Sequence, residues 1–319
     1  MQVSFIIPLY NCLRLTQAML ASLRATLPAG LTHEIIFIDD GSTDGTCAWL
    51  ATLTDPVFRV VLNERNLGYA AANNRAAAIA RGAILALLNN DLVLRPGWWE
   101  PLLAAHTSLR DRAGLIGNVQ LDARTGAVDH AGLVVNLTGK PVHARALPSA
   151  VSRAFFPVQQ VPAVTGACVL VERALWLKLG GFDEGFVNGG EDIDLCFRAR
   201  AAGLINAVAL RSVVQHHVSS SPGRKARDEQ NSQRLALRWR AELIAAADDG
   251  TRTWCRDYLN RALAVPESGE YRLALAACAF LGQWRRTPPA EAVAAVTAGL
   301  DGEFARWERM LSPPSRAGL

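Results

Sequence analysis

Four polar clusters in the amino-terminal half of the chain each follow a short apolar run: Pro8-Leu9-Tyr10-Asn11, Asp39-Asp40-Gly41-Ser42, Asn63 to Gly68, and Asn89-Asn90-Asp91. Any one of them reads as a turn, because Asn, Asp and Gly are ordinary turn formers. Four in succession, each at the end of an apolar run, describe a site lined by acids and amides. No G-x-G-x-x-G follows the first run, and no G-x-x-x-x-G-K-[ST] occurs. Neither a dinucleotide fingerprint nor a P-loop is therefore available to hold phosphate. Acids and amides suit instead a hydrated hard cation that carries the phosphates itself, as Mg²⁺ or Mn²⁺ does.

Two further groups could carry chemistry. Gly189-Gly190 precedes Glu191-Asp192-Ile193-Asp194, which opens an amphipathic helix with three carboxylates. Acids favour a helix N-terminus, but dipole complementation accounts for one of them better than for three. Glycines ahead of the helix let a ligand approach the backbone, so a carboxylate here could act as a general base. His216-His217 ends a β-like stretch; a structural role and a metal or phosphate contact both remain open for this pair.

The elements that must position these residues alternate. Apolar runs at 3–7, 34–38, 57–62 and 83–88 read as strands, with Pro8 stopping the first. Helical patterns at 13–27, from Thr43 or Asp44 to about Leu53, and at 69–80 lie between them. Nearly continuous apolar strands separated by helices predict a mostly parallel sheet covered on both faces. In such sheets ligands bind beyond the carboxyl ends of the strands. Residues 126–165 read as hairpins or long loops, 172–179 and 191–202 as helices, and 205–210 as a strand. Beyond Asp228 the chain reads as helical to about Met310, with breaks near Pro266 and Pro288-Pro289. Ser219 to Gly223 marks a boundary, giving an α/β body at 1–222 and a helical extension at 223–319.

With 319 residues, 50% of them hydrophobic and 19% charged, the chain can build a core, which excludes disorder as its main state. Pro157, Pro162 and Gly166 interrupt the longest uncharged stretch, so no bilayer span is expected. Met1 to Phe5 has no basic leader character. Six scattered cysteines without a C-x-x-C pair read as reduced thiols, and the expected compartment is the cytosol. Net charge is +4, with a local basic excess at Arg224, Lys225, Arg227, Arg234, Arg238 and Arg240. That segment lacks interleaved aromatics, which argues against nucleic acid. A solvated face, a phosphate contact and peripheral attachment to the inner face of the membrane are its three readings. Trp98-Trp99, Trp239, Trp254, Trp284 and Trp307 read as packing residues rather than a sugar platform.

The ordered set Ile7-Pro8-Leu9-Tyr10-Asn11, Ile38 to Thr46, Asn66-Leu67-Gly68-Tyr69, Leu88 to Asp91 and Gly180 to Leu195 resembles a family 2 glycosyltransferase of the GT-A fold. The resemblance runs from Val3 to about Asn231 and is strongest to bacterial rhamnosyltransferase-like enzymes of polysaccharide biosynthesis. It implies a Rossmann-like α/β domain and inverting transfer of a sugar from a nucleotide-diphosphate donor, a UDP- or dTDP-sugar. The acceptor would be a saccharide or lipid-linked saccharide, and the implied cofactor is a divalent cation, Mn²⁺ or Mg²⁺. Pro8, Tyr10 and Asp39 would line the base pocket, with Asp39 on the pyrimidine N3–H. Asn66, Gly68 and Asn74 would shape the nucleotide-sugar pocket, Asn90 of the Asn89-Asn90-Asp91 element would contact the donor, and Gly166 would line the cleft. Asp91 and His216 would hold the metal, with His217 as the alternative histidine. Asp192 would be the base and Glu191 its neighbour on the acceptor. Asn89 stands where the family's Asp-x-Asp has its first acid, removing one negative charge, and Gln230 replaces an expected arginine. The extension could cover the sheet, form a homodimer interface or approach a membrane. Two alternatives stay open: a nucleotidyltransferase, and a non-catalytic nucleotide-sugar or glycan-binding protein on the same fold.

Overall fold

The computed structural model describes residues 1–217, 227–247, 255, 277–282 and 290–311. The boundary at 219–223, Arg224, Lys225, Trp254, Trp284 and the helix breaks near Pro266 and Pro288-Pro289 lie outside the described residues. The chain begins with β1 (Val3–Leu9), α1 (Leu13–Thr26), β2 (His33–Asp39), α2 (Thr46–Leu50), β3 (Phe58–Leu62), α3 (Tyr69–Ile79) and β4 (Ile84–Leu88). It continues through β5 (Leu92–Leu94), α4 (Trp99–Leu109), β6 (Ala113–Asp122), β7 (Val128–His130), β8 (Leu133–Val135), β9 (Pro141–His143), α5 (Ala150–Phe155) and β10 (Val158–Gln160). Then follow β11 (Cys168–Glu172), α6 (Arg173–Leu179), α7 (Glu191–Ala201), β12 (Ile205–His216), α8 (Asp228–Ala245) and α9 (Ala290–Leu311).

The main sheet has ten strands, with the path β10-β12-β6-β11-β4-β1-β2-β3, β5 on β12 and β7 on β6. Strands β1 to β4, β6 and β12 share one direction, and β5, β7, β10 and β11 run against them. Alternation along nearly all-apolar strands feeds two cores. Phe5, Ile7, Ile35 and Phe37 face one side with Met19 and Leu23 of α1 and Trp99 of α4. Ile6, Ile36 and Ile38 face the other, with Ala72, Ala76 and Ala77 of α3 and Trp176 of α6. Trp98 and Trp99 are fully buried against Phe5 and serve packing.

Three local expectations need correction. Pro8 does not stop β1: pairing with β4 ends at Ile6, and the strand continues to Leu9 against β2 alone. Helix α2 ends at Leu50 rather than about Leu53, because Thr52 and Leu53 bond back three residues and tighten the last turn. The stretch 205–210 is the first half of a strand that bulges between Ala209 and Val213 and continues to His216. His216 is the last residue of β12, at a strand end as expected.

The chain divides into two compact units, Met1–Leu133 with His143–Arg224, and Val134–Val142 with Lys225–Leu319. In the second, α8 and α9 pack together, and Glu229 accepts from Arg306 and from the Trp307 indole. Lys140 pairs with Glu303 at 3.1 Å. Trp239 and Trp307 are buried in this unit. No helix among the described residues is long and apolar enough to cross a membrane.

Candidate functional site

Parallel register sets Leu9, Asp39 and Leu62 side by side, so the segments after β1, β2 and β3 emerge at one edge. Strand β11 runs antiparallel to β4 and pairs Cys168 with Leu88, so its start rather than its end reaches that edge. The Asn89 N–H accordingly donates to the carbonyl of Ala167 at 2.8 Å. A cleft of about 180 Å³ opens there, bounded by Pro8, Tyr10, Asn66, Asn90, Asp91, Gly166, Glu191 and Asp192 among others. The loops at its rim hold one another. Asn11 N–H donates to Ser42 Oγ at 2.7 Å, Thr43 N–H to Asn11 Oδ1 at 2.8 Å, and Leu13 N–H to Asp44 Oδ2 at 2.9 Å. Asp44 thus caps α1 across the loop. Burial works against its ionisation, but hydrogen bonds from Thr46 and Leu13 outweigh it and hold the carboxyl below the usual range. Gly41 has φ +81°, and a side chain there would sit 2.9 Å from the Arg65 backbone, so only glycine fits.

The adjacent acids Asp39 and Asp40 have different fates. Asp40 borders the cleft, yet its carboxylate is committed: it accepts from Asn63 Nδ2 at 2.8 Å and from the N–H groups of Leu67 and Gly68 at 2.9 Å each. Asp39 is fully buried and accepts from Ser42 N–H at 3.0 Å and Cys47 Sγ at 3.1 Å through Oδ2 alone. That contact with Asp39 and burial push the Cys47 thiol up, so it keeps the proton it donates. Oδ1 of Asp39 has no partner. A buried acceptor without a donor is costly; Asp39 lies beneath the cleft rather than in its lining, which at this strand end is Asp40.

Antiparallel pairing of β5 with β12 sets His216 opposite Leu92, and His217 N–H donates to the carbonyl of Asp91 at 3.0 Å. Nε2 of His216 lies 3.1 Å from Oδ1 of Asp91, both residues buried. The two atoms are at ion-pair distance, and neither makes a hydrogen bond; Nδ1 of His216 makes none either. Asn89 keeps an unpaired Oδ1 beside them in sequence. Asn90 lines the cleft but spends its amide on Thr16 Oγ1 at 2.9 Å. Among the described residues no group of three or more His, Cys, Asp and Glu converges. A cation at this point would meet one carboxylate and one imidazole, hard and borderline ligands that could accept Mn²⁺ or Mg²⁺ if phosphate oxygens and solvent completed the shell.

The three acids of α7 are sorted by the fold. Asp194 is fully buried and paired with Arg198 at 2.8 Å, and Arg198 also donates to the carbonyls of Leu179 and Gly181. Glu191 is buried at the cleft wall and accepts from Gly189 N–H at 2.8 Å. Asp192 lines the cleft and accepts from Gly166 N–H at 2.8 Å through Oδ2 and from Ile193 N–H at 2.8 Å through Oδ1. Asn74 is not at the cleft wall: its amide pins the Phe182 backbone at 2.9 Å in both directions. Gly68 lies in the loop that Asp40 holds. Sequence reasoning did not assign roles to Tyr69, Thr165 or Asn188, all of which line the cleft. Tyr69 closes the Asn66-Leu67-Gly68-Tyr69 motif, so a signal existed; Asn188 has none beyond two following glycines.

Residues 4–122 match the family model described as Glycosyl transferase family 2. An uncharacterised protein, y4gI, of Sinorhizobium fredii (strain NBRC 101917 / NGR234) is 32% identical over 258 residues, 76% of this chain and 28% of the relative. The O-antigen biosynthesis protein RfbC of Myxococcus xanthus is 33% identical over 69% of this chain and 18% of its own length. This chain therefore spans less than a third of either relative. The N-acetylglucosaminyl-diphospho-decaprenol L-rhamnosyltransferase of Mycobacterium tuberculosis (strain ATCC 25618 / H37Rv) is 29% identical over 69% of this chain and 76% of the relative. Among solved structures, GalNAc-T7 with UDP, GalNAc and Mn²⁺ superposes with TM-score 0.60 at 18% identity, over 88% of this chain and 55% of that one. The mannosyltransferase PcManGT of Pyrobaculum calidifontis, with GDP-Man and Mn²⁺, gives TM-score 0.51 at 18% identity, over 98% and 76%.

Proposed function

The chain carries a family 2 glycosyl transferase domain with the GT-A fold, and on that premise we propose an inverting, metal-dependent transfer of a sugar from a UDP- or dTDP-sugar to a saccharide or lipid-linked saccharide. The observation that carries the reading is the pairing, at one strand edge, of Asp91 beside His216 with Asp192 in the same cleft. The polysaccharide and rhamnosyl names of the relatives support the acceptor class.

Each residue has a physical part. Asp39 offers its unpaired Oδ1 to the pyrimidine N3–H, and exposed Tyr10 offers a ring face to the base. Asp91 and His216 would hold a divalent cation, Mn²⁺ or Mg²⁺, at this strand edge. A cation bound there neutralises the charge that develops on the leaving diphosphate. Asp192, oriented by Gly166 N–H, takes the proton of the acceptor hydroxyl as that oxygen attacks the anomeric carbon. One displacement from the side opposite the diphosphate inverts the configuration. Glu191 stands beside the base as the acceptor contact. Residues 1–222 are proposed as the catalytic domain and 223–319 as an extension for anionic membrane or self-association.

A thermal-shift panel of nucleotide sugars with and without Mn²⁺ tests the reading. A ligand at 100 times its Kd stabilises by about 2.7 kcal/mol, so the donor should separate from the others, and only with metal. No stabilisation by any pyrimidine nucleotide sugar overturns it. Turnover of the selected donor, by transfer or by slow hydrolysis, separates an enzyme from a binding protein.

A further inference from the structure

Tyr69 opens α3 immediately after Gly68 and reaches three parts of the site. Its N–H donates to Asn188 Oδ1 at 3.3 Å, its hydroxyl donates to the carbonyl of Gly166 at 2.8 Å, and its ring lies 5.8 Å from Phe182. The same Gly166 turns its N–H to Asp192 Oδ2 at 2.8 Å. A side chain at Gly166 would meet the Tyr69 hydroxyl at 3.0 Å and Cβ of Asp192 at 3.5 Å, so the residue is a close-fitting link between the two. On the other side of Tyr69, Asp40 anchors the N–H groups of Leu67 and Gly68, and Asp40 adjoins Asp39. A continuous series of directed contacts therefore runs from the strand end at Asp39-Asp40, through the 67–69 segment and Gly166, to Asp192.

We propose that Tyr69 is a positioning residue for Asp192, coupling the donor-side loop to the carboxylate through Gly166. The proposal rests on the reading of Asp192 as the base. With the Tyr69 hydroxyl in place, the Gly166 peptides are held, and the Gly166 N–H fixes one oxygen of Asp192 so that the carboxylate keeps a single orientation toward the acceptor. Without the hydroxyl, that orientation becomes one of several. Turnover should fall while the donor, bound by other residues, is held as before.

The test is steady-state transfer by the full chain carrying Tyr69→Phe, which keeps the ring against Phe182, alone and combined with Asp192→Asn. A hydrogen bond of ordinary net strength corresponds to about a tenfold change. The expected result is a kcat about tenfold lower, an unchanged donor KM and an unchanged melting temperature. In the Asp192→Asn background, Tyr69→Phe should add nothing, because residues acting through one group are non-additive. Gly166→Ala, which presses on the hydroxyl from the other side, should reproduce the kcat loss if Tyr69→Phe lowers the melting temperature. An unchanged kcat, a raised donor KM at constant kcat, or the same tenfold loss in both backgrounds overturns the proposal. Wild-type turnover by Asp192→Asn alone overturns the base assignment itself, and that result is distinct from a neutral Tyr69→Phe in an enzyme that needs Asp192.

Discussion

Oδ1 of Asp91 and Nε2 of His216 lie 3.1 Å apart in a buried setting, and neither forms a hydrogen bond with the other or with any described neighbour. Two unsatisfied polar atoms at that separation carry a cost that a shared ligand removes. Chelation should abolish transfer, and Mn²⁺ or Mg²⁺ should restore it. Asp91→Ala should fail to recover at saturating metal, with Asn89→Ala losing less; Mn²⁺ titration by electron paramagnetic resonance in the presence of a nucleoside diphosphate should show the same order. Activity that survives exhaustive chelation would remove the cation from the reaction.

Asp192→Asn should cut turnover by about 10²–10⁴-fold, the usual contribution of a general base, while donor affinity measured by calorimetry stays near wild type. Near-normal transfer would take Asp192 out of the role.

Asp194→Ala should act on stability instead. It strands the Arg198 guanidinium that Asp194 pairs at 2.8 Å, and breaking a buried pair costs about 3–5 kcal/mol. Urea unfolding of Asp194→Ala beside Asp192→Asn checks the contrast: equal midpoints would contradict the division of labour within α7.

Burial, then the neighbouring His143 and His216, holds the imidazole of His130 well below its ordinary value; burial also lowers His106, opposed by Glu172. Both rings are therefore neutral when folded over a pH range where the unfolded chain is protonated. Stability should be full above the unfolded value of about 6.5 and should decline as pH falls through it toward the depressed folded values. Melting temperatures from pH 8 to 5 should drop for the wild type and drop less for His130→Phe. Equal slopes for the two proteins would contradict this.

Arg227, just ahead of α8, and Arg234, Leu237 and Arg238 on it are exposed. Each basic residue near an anionic surface is worth about 1 kcal/mol and is screened by salt. Weak, salt-reversible cosedimentation with anionic vesicles is expected, reduced when Arg227, Arg234 and Arg238 become Gln together. Absence of binding at low salt would leave this face as solvated surface.

The sequence by itself determined the alternation of β1 to β4 with α1 to α3, because short continuous apolar runs and helical stripes are local patterns. It also determined that the polar clusters follow strand ends, which puts Tyr10, Asp39, Asn66 and Asp91 near one edge once the strands are parallel. It could not rank neighbours of the same type. Asp39 and Asp40 are adjacent carboxylates in the sequence, and only the folded loop shows that Asp40 is consumed by three donors while Asp39 keeps Oδ1 unpaired. The acids of α7 are likewise distinguished by what lies across from them: Arg198 for Asp194 and the Gly166 N–H for Asp192. Strand direction is a long-range property too. The antiparallel insertion of β11 brings Gly166 to the cleft, and the pairing of β5 with β12 brings His216 to Asp91. Neither pairing is encoded in any local window, because strand partners are selected by the burial of both sheet faces at once, and that selection exists only when the whole sheet has formed.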